Sequence, residues 1–126
     1  MKPEHPRGVE VQVKSQKLKN IVKTLLIRAN TVLDKESFDL VTAYENTDEK
    51  ALITENCRLA KETLRPLCQD TGQVLVFLKL PYNFSFGYDF KKVINDAVEE
   101  VYKEEFYRKS VVKDAISDRT NTKTNR

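Results

Sequence analysis

The sequence predicts an α/β protein of the helix-rich α+β type, with an N-terminal helical section, then a buried strand, then a long helix. Apolar residues recur at helical spacing between residues 16 and 64, and again after residue 89. Residues 74–78 are apolar at every position, which is typical of a strand covered on both faces. The length of 126 residues, with 33% charged and 40% hydrophobic residues, suits one globular domain.

The helical section divides into three predicted helices. The first spans about residues 16–33, and the second begins after Asp34, a residue that favours helix N-termini. Asn46 offers a new cap, and the third helix is predicted over about residues 49–64. Pro66 is expected to end this helix, because proline and the residue before it disfavour helical backbone.

The second half begins with the predicted strand, residues 74–80, which we expect to be central and buried. The aromatic and turn-rich residues 82–87 are a candidate edge strand. Asp89 is expected to cap a long helix over about residues 90–107, which has an apolar stripe at helical spacing.

The predicted sheet is incomplete in this chain. A strand that is apolar on both faces needs neighbouring strands and two covering layers, and the sequence offers few further strand candidates. We therefore expect the rest of the sheet in other sequence or in a partner chain, and part of the apolar face to be exposed here. The expected organisation is an arm (1–15), a main unit (16–117) and a polar tail, disordered or truncated (118–126).

Composition argues against several classes of function. The net charge of +3 comes from basic residues interspersed with acidic ones, so we expect no nucleic-acid partner. No apolar run approaches the length of a membrane span, and the first residues lack an apolar signal core. We expect a cytoplasmic protein without a membrane partner, in which the two cysteines are a metal thiolate or buried thiols rather than a disulfide.

The most informative segment is residues 65–72, which joins the third helix to the predicted strand. A loop held between two rigid elements often carries chemistry, and Cys68 could present a thiolate to a metal there. Gln69 and Asp70 add polar groups beside it. From these residues alone, a cysteine packed at a helix end beside a turn is an equal alternative. Arg108 could likewise be an exposed cation near a helix C-terminus.

Two motifs carry a resemblance to a known family. Residues 66–72, Pro-Leu-Cys-Gln-Asp-Thr-Gly before an apolar run, resemble the P-x-C-Q-D-T-G signature of the α subunit or α region of class I (iron–sulphur) fumarases and tartrate dehydratases. Residues 106–112, Phe-Tyr-Arg-Lys-Ser-Val-Val, are similar to a second motif of that family, and residues 94–98 to the helix before it. The resemblance covers roughly residues 16–122.

The resemblance implies a role for each matching residue. Cys68 matches the first of three cysteines that hold a four-iron, four-sulphur cluster, and Gln69 and Asp70 match residues that line the substrate site. Arg108 matches an arginine that pairs with a carboxylate of a small dicarboxylate substrate. The catalytic base is expected outside this chain, so no catalytic residue is assigned within it. Cys57 matches no ligand, and its place in an apolar helix stripe predicts a small core residue.

The resemblance also implies what this chain lacks. It carries one of the three cysteine ligands, so we expect it to be inactive alone and to need a missing C-terminal half or a β subunit. The expected function is a fumarate/L-malate hydratase that works as an oligomer. An L-tartrate dehydratase α subunit, or a vestigial fragment that acts only through partner binding, are the alternatives.

Overall fold

The computed structural model describes residues 13–43, 46–67 and 72–126. These residues form four helices and a two-stranded antiparallel sheet, which confirms a helix-rich protein with an incomplete sheet. The elements are α1 (Ser15–Thr31), α2 (Lys35–Thr42), α3 (Thr47–Thr63), α4 (Phe90–Glu104), β1 (Val112–Asp114) and β2 (Asp118–Asn121). None of these helices combines the length and the apolar character that crossing a bilayer requires.

The core lies between α1 and α4, which pack along each other. Each helix buries one stripe at three- and four-residue spacing, as an amphipathic helix does. The buried core residues on the two helices are Leu18, Val22 and Leu26 on α1, and Ala97, Val98, Val101 and Tyr102 on α4. Tyr107 returns to this core after α4 ends, and its ring meets that of Tyr102 edge to face at 5.6 Å between centroids.

Local side chains fix three of the helix starts. The side chain of Asp34 accepts a hydrogen bond from the Ser37 backbone N–H at α2, and Asn46 caps α3 in the same way. The side chain of Asp89 accepts from the backbone N–H of Lys92 at α4. These three caps confirm the predicted ones, since each depends only on residues two or three positions away.

The predicted buried strand over residues 74–80 is wrong for this chain. The segment belongs to no helix or sheet among the described residues. Leu75 is 75% exposed and Phe77 is 90% exposed, although Val74 packs against the core. The physical reason is that the described residues supply neither neighbouring strands nor a second covering layer. The expected exposure of apolar residues in this region is confirmed.

Two further predictions in the second half need correction. Residues 82–87 form a turn followed by irregular backbone rather than an edge strand, and the Phe86 ring contacts those of Phe84, Tyr88 and Phe90 beside the start of α4. The tail 118–126 is not disordered. It contributes β2, and Asn125 near its end is 3% exposed. Hydrogen bonds of polar side chains order this tail, and a search for apolar periodicity does not detect them.

Candidate functional site

The predicted site loop is described only at its two ends. Cys68, Gln69 and Asp70 lie outside the described residues, so the roles that the resemblance implies for them beside Arg108 stay predictions. The flanking residues, Leu67 and Gly72, are described, and both are held by residues distant in sequence.

The first end of the loop is fixed to the C-terminal end of α1. The buried Leu67 donates its backbone N–H to the carbonyl oxygen of Asn30 at 2.8 Å. Asn30 lies in the last turn of α1, where carbonyl groups lack helical partners, and its side chain donates to the Leu26 carbonyl at 2.9 Å. The residue before Cys68 is therefore attached to the helix that forms half of the core.

The other end of the loop is fixed by a residue near the end of the chain. The Asn125 side-chain nitrogen donates to the Gly72 carbonyl at 2.8 Å, and the Tyr102 hydroxyl donates to the same oxygen at 3.5 Å. The second contact is weak at that length. Asn125 thus makes the shorter of these two contacts with the loop's second end.

The same Asn125 side chain also binds the segment that follows Arg108. Its oxygen accepts hydrogen bonds from the backbone N–H groups of Ser110 at 2.9 Å and Val111 at 3.0 Å. The two motifs on which the family resemblance rests are therefore joined by one buried amide, although Gly72 and Ser110 are far apart in sequence. Arg108 itself is exposed, two residues before this attachment.

Asn125 is the contact residue that sequence reasoning missed. It adopts a left-handed backbone conformation, with φ of 60°, which asparagine tolerates better than most residues. The asparagine- and threonine-rich composition of residues 121–125 was a signal of side-chain-to-backbone bonding. Its distant partners could not be identified without the fold.

Cys57 differs partly from its prediction. Its thiol is free and only half-buried, on the side of α3 that faces α2. It lines an open groove of about 580 Å³ together with apolar residues, namely Leu33, Val41, Leu52, Ile53 and Leu67. The apolar surroundings agree with a packing role, whereas full burial is wrong.

The resemblance implies a cluster that takes more thiolates than this chain has cysteines. A four-iron, four-sulphur cluster of the implied family takes three protein thiolates, and the sequence contains two cysteines. Cys57 lines the apolar groove beside α3, and Cys68, the donor that the resemblance implies, lies outside the described residues. Within the described residues, no three histidine, cysteine, aspartate or glutamate side chains come together as a metal site.

The range matched by a family of known proteins includes both motifs. The family described as fumarate hydratase (fumerase) matches residues 19–126. A protein of Methanocaldococcus jannaschii, provisionally named L(+)-tartrate dehydratase subunit alpha, is 46% identical over 54 residues. That alignment covers 43% of this chain and 18% of the relative, so the similarity extends over a minor part of the relative's length. Because the family match spans most of the sequence, this chain belongs to the fumarase family.

Proposed function

We propose that this chain is the N-terminal part of an iron–sulphur hydro-lyase, a fumarate/L-malate hydratase that adds or removes water on a small dicarboxylate. The observation that carries the proposal is the family match over residues 19–126, within which Asn125 joins the two matching motifs. The chain would be inactive alone. It would work in an oligomer with a C-terminal half or a β subunit that supplies the catalytic base.

Cys68 would supply one thiolate to a four-iron, four-sulphur cluster, and the partner segment would supply the others. When bound, the cluster offers an iron without a protein ligand, a Lewis acid for the substrate's hydroxyl and carboxylate oxygens. Gln69 and Asp70 would line the substrate site, with Arg108 pairing to a carboxylate. We also propose a cytoplasmic location, because thiolates that ligate iron persist in reducing compartments.

L-tartrate dehydratase is the second candidate, and the printed name of the M. jannaschii relative favours it. Fumarate and tartrate both carry two carboxylates, so the proposed role of Arg108 suits either substrate. Turnover of fumarate and of L-tartrate by the reconstituted assembly, compared side by side, separates the two. A vestigial fragment would give turnover of neither.

The test of the cofactor assignment uses the two cysteines as a matched pair. Anaerobic reconstitution of this chain alone with iron and sulphide should give no stable cluster, since it offers too few thiolates. Adding the remainder of the enzyme should give the cluster absorbance and hydro-lyase activity. Cys68→Ser should abolish both in that assembly, whereas Cys57→Ser should keep both. An assembly that stays fully active after Cys68→Ser would overturn the assignment.

The substrate role of Arg108 has its own test. Arg108→Lys keeps the charge but removes the planar, two-pronged donor that suits a carboxylate. Because a hydrogen bond to a charged group contributes about 1.5–3 kcal/mol, we expect KM for the dicarboxylate to rise by about ten- to a hundredfold. Arg119→Lys in β2, also exposed, is the control and should leave KM unchanged. Equal KM values for both variants would remove Arg108 from the site.

A further inference from the structure

We propose that Asn125 is a positioning residue, which holds the Arg108 segment at a fixed spacing from the Gly72 end of the Cys68 loop. The inference rests on the proposed function, since it concerns how two parts of that site are kept in register. Asn125 lies outside the two motifs at residues 66–72 and 106–112, although it lies within the family match over residues 19–126.

The first step is that one side chain serves both segments at once. The amide oxygen of Asn125 takes two backbone N–H groups, from Ser110 and Val111, while its nitrogen donates to the Gly72 carbonyl. All three distances lie between 2.8 and 3.0 Å, which is the usual range for N–H···O bonds. With Asn125 only 3% exposed, water has little access to compete for these groups.

The second step is that Asn125 is itself held in place. Its backbone N–H donates to the Thr122 hydroxyl at 3.2 Å, and the Thr122 N–H donates to the Val111 carbonyl at 2.9 Å. Arg126 forms ion pairs with Asp96 and Glu99 of α4, each at 3.1 Å. The amide therefore connects the two segments from a position tied to the α4 helix. A shift of either segment would break a hydrogen bond of the buried Asn125 side chain.

The third step is that the contacts select asparagine. Aspartate has the same shape and could accept from both N–H groups, but it would place a carboxylate against the Gly72 carbonyl. Alanine would remove all three hydrogen bonds of the Asn125 side chain, to the two N–H groups and to the Gly72 carbonyl. Asn125→Asp therefore removes only the bond to Gly72, whereas Asn125→Ala also removes the bonds to Ser110 and Val111.

The consequence for function is geometric. A dicarboxylate held by Arg108 at one point and by Gln69 and Asp70 at another is sensitive to the spacing between those points. Rates of positioned reactions fall by about a hundredfold for a displacement on the order of 1 Å. Asn125 touches neither substrate nor cofactor in this scheme and acts through the two segments that it joins.

The test uses the complete assembly, made of this chain and the remainder of the enzyme, with Asn125→Asp and Asn125→Ala. Hydrogen exchange at the Ser110 and Val111 amides measures their bonds to the Asn125 side chain independently of enzyme activity. Exchange should be about tenfold faster in Asn125→Ala and near the wild-type rate in Asn125→Asp, which keeps the acceptor oxygens. Both variants should lower kcat/KM by about tenfold or more because the bond from Asn125 to the Gly72 carbonyl is lost in both.

Asn46→Ala is the matched control, since it also removes an asparagine oxygen that accepts two backbone N–H groups, at the start of α3. It should lower the melting temperature without changing kcat/KM or the exchange at Ser110 and Val111. Wild-type kcat/KM in both Asn125 variants, or wild-type exchange in Asn125→Ala, would overturn the inference. Retention of activity after Cys68→Ser would instead overturn the proposed function, and the exchange rates would still decide whether the link exists.

Discussion

The Tyr107 hydroxyl is buried and has no hydrogen-bond partner within the described part of the chain. Burial raises the pKa of Tyr107 to about 12, with a further contribution from the nearby Glu105 carboxylate. The unfolded chain ionises this group near its ordinary pKa of 10.0, so the folded state loses stability as pH rises between these values. Below about pH 10 the phenol is neutral in both the folded and the unfolded chain, so its ionisation costs the fold no stability there.

Tyr107→Phe should keep the edge-to-face ring contact with Tyr102 and remove the unpaired hydroxyl. We expect the free energy of unfolding at pH 7 to stay equal or to rise by about 1 kcal/mol. We also expect a smaller loss of stability above pH 10. Urea unfolding at pH 7 and in the alkaline range measures both quantities, with the fully exposed Tyr82→Phe as the control. A loss above about 2 kcal/mol in Tyr107→Phe would mean that the hydroxyl has a partner.

Whether a side-chain hydrogen bond could be predicted from the sequence depended on how far along the chain its partner lies. The caps at Asp34, Asn46 and Asp89 were predictable because each side chain bonds a backbone group two or three residues away. The bonds of Asn125 reach Gly72, 53 residues away, so no local pattern could indicate them. The roles of Cys68 and Arg108 came from resemblance, since local chemistry left the alternative readings open.

The pairing of α1 with α4 combines a buried apolar stripe with ion pairs at its edge. Leu26 packs against Val98 and Val101. At the solvent side, Lys19 binds the Glu100 carboxylate at 2.6 Å and Lys23 binds it at 3.2 Å. Partly exposed ion pairs contribute little because water screens them and side-chain entropy opposes them. Burial of the stripe should therefore dominate the stability of this helix pair.

Leu26→Ala and Glu100→Gln test which of the two interactions matters more. We expect Leu26→Ala to lower the free energy of unfolding by about 2–5 kcal/mol, from lost burial and the cavity that it leaves. Glu100→Gln should lower it by less than about 1 kcal/mol. Chemical denaturation of both variants in the same buffer gives the comparison. A larger loss for Glu100→Gln would show that the ion pairs hold the helices together.

The helices were more predictable than the sheet for a physical reason. Helical hydrogen bonds are local, so the apolar stripes of α1 and α4 gave their type and approximate bounds. The end of α4 came earlier than predicted because Phe106 takes a left-handed conformation, with φ of 55°. A strand takes its partners from elsewhere in the chain or from another chain. The apolar run over residues 74–80 indicated strand character but not whether a partner is present.

At the scale of the whole molecule, the apolar strip formed by residues 74–80 is a candidate surface for binding a partner. Five of its apolar side chains are exposed, namely Leu75, Val76, Phe77, Leu78 and Leu80, and contiguous apolar surface of this kind marks interaction sites. A segment that pairs with no strand among the described residues also offers backbone groups to a neighbouring strand. The strip therefore suits the proposed partner segment, which would complete the sheet and cover one face of it.

Phe77→Lys tests this assignment because the side chain is 90% exposed and contributes little to the fold of the chain itself. The melting temperature of the isolated variant should match that of the wild type. Its affinity for the separately produced remainder of the enzyme should fall by about tenfold or more, since a buried aromatic contact would be replaced by a charge. Titration by light scattering or calorimetry measures that affinity.

Ile116→Lys supplies the matched control, since Ile116 is 95% exposed in the turn between β1 and β2, away from the strip. Equal loss of affinity in both variants would point to a general effect of added charge rather than to a specific interface. Unchanged affinity in Phe77→Lys would place the partner on another surface. Selective loss in Phe77→Lys would mean that the exposed apolar strip is where the proposed sheet continues into the partner.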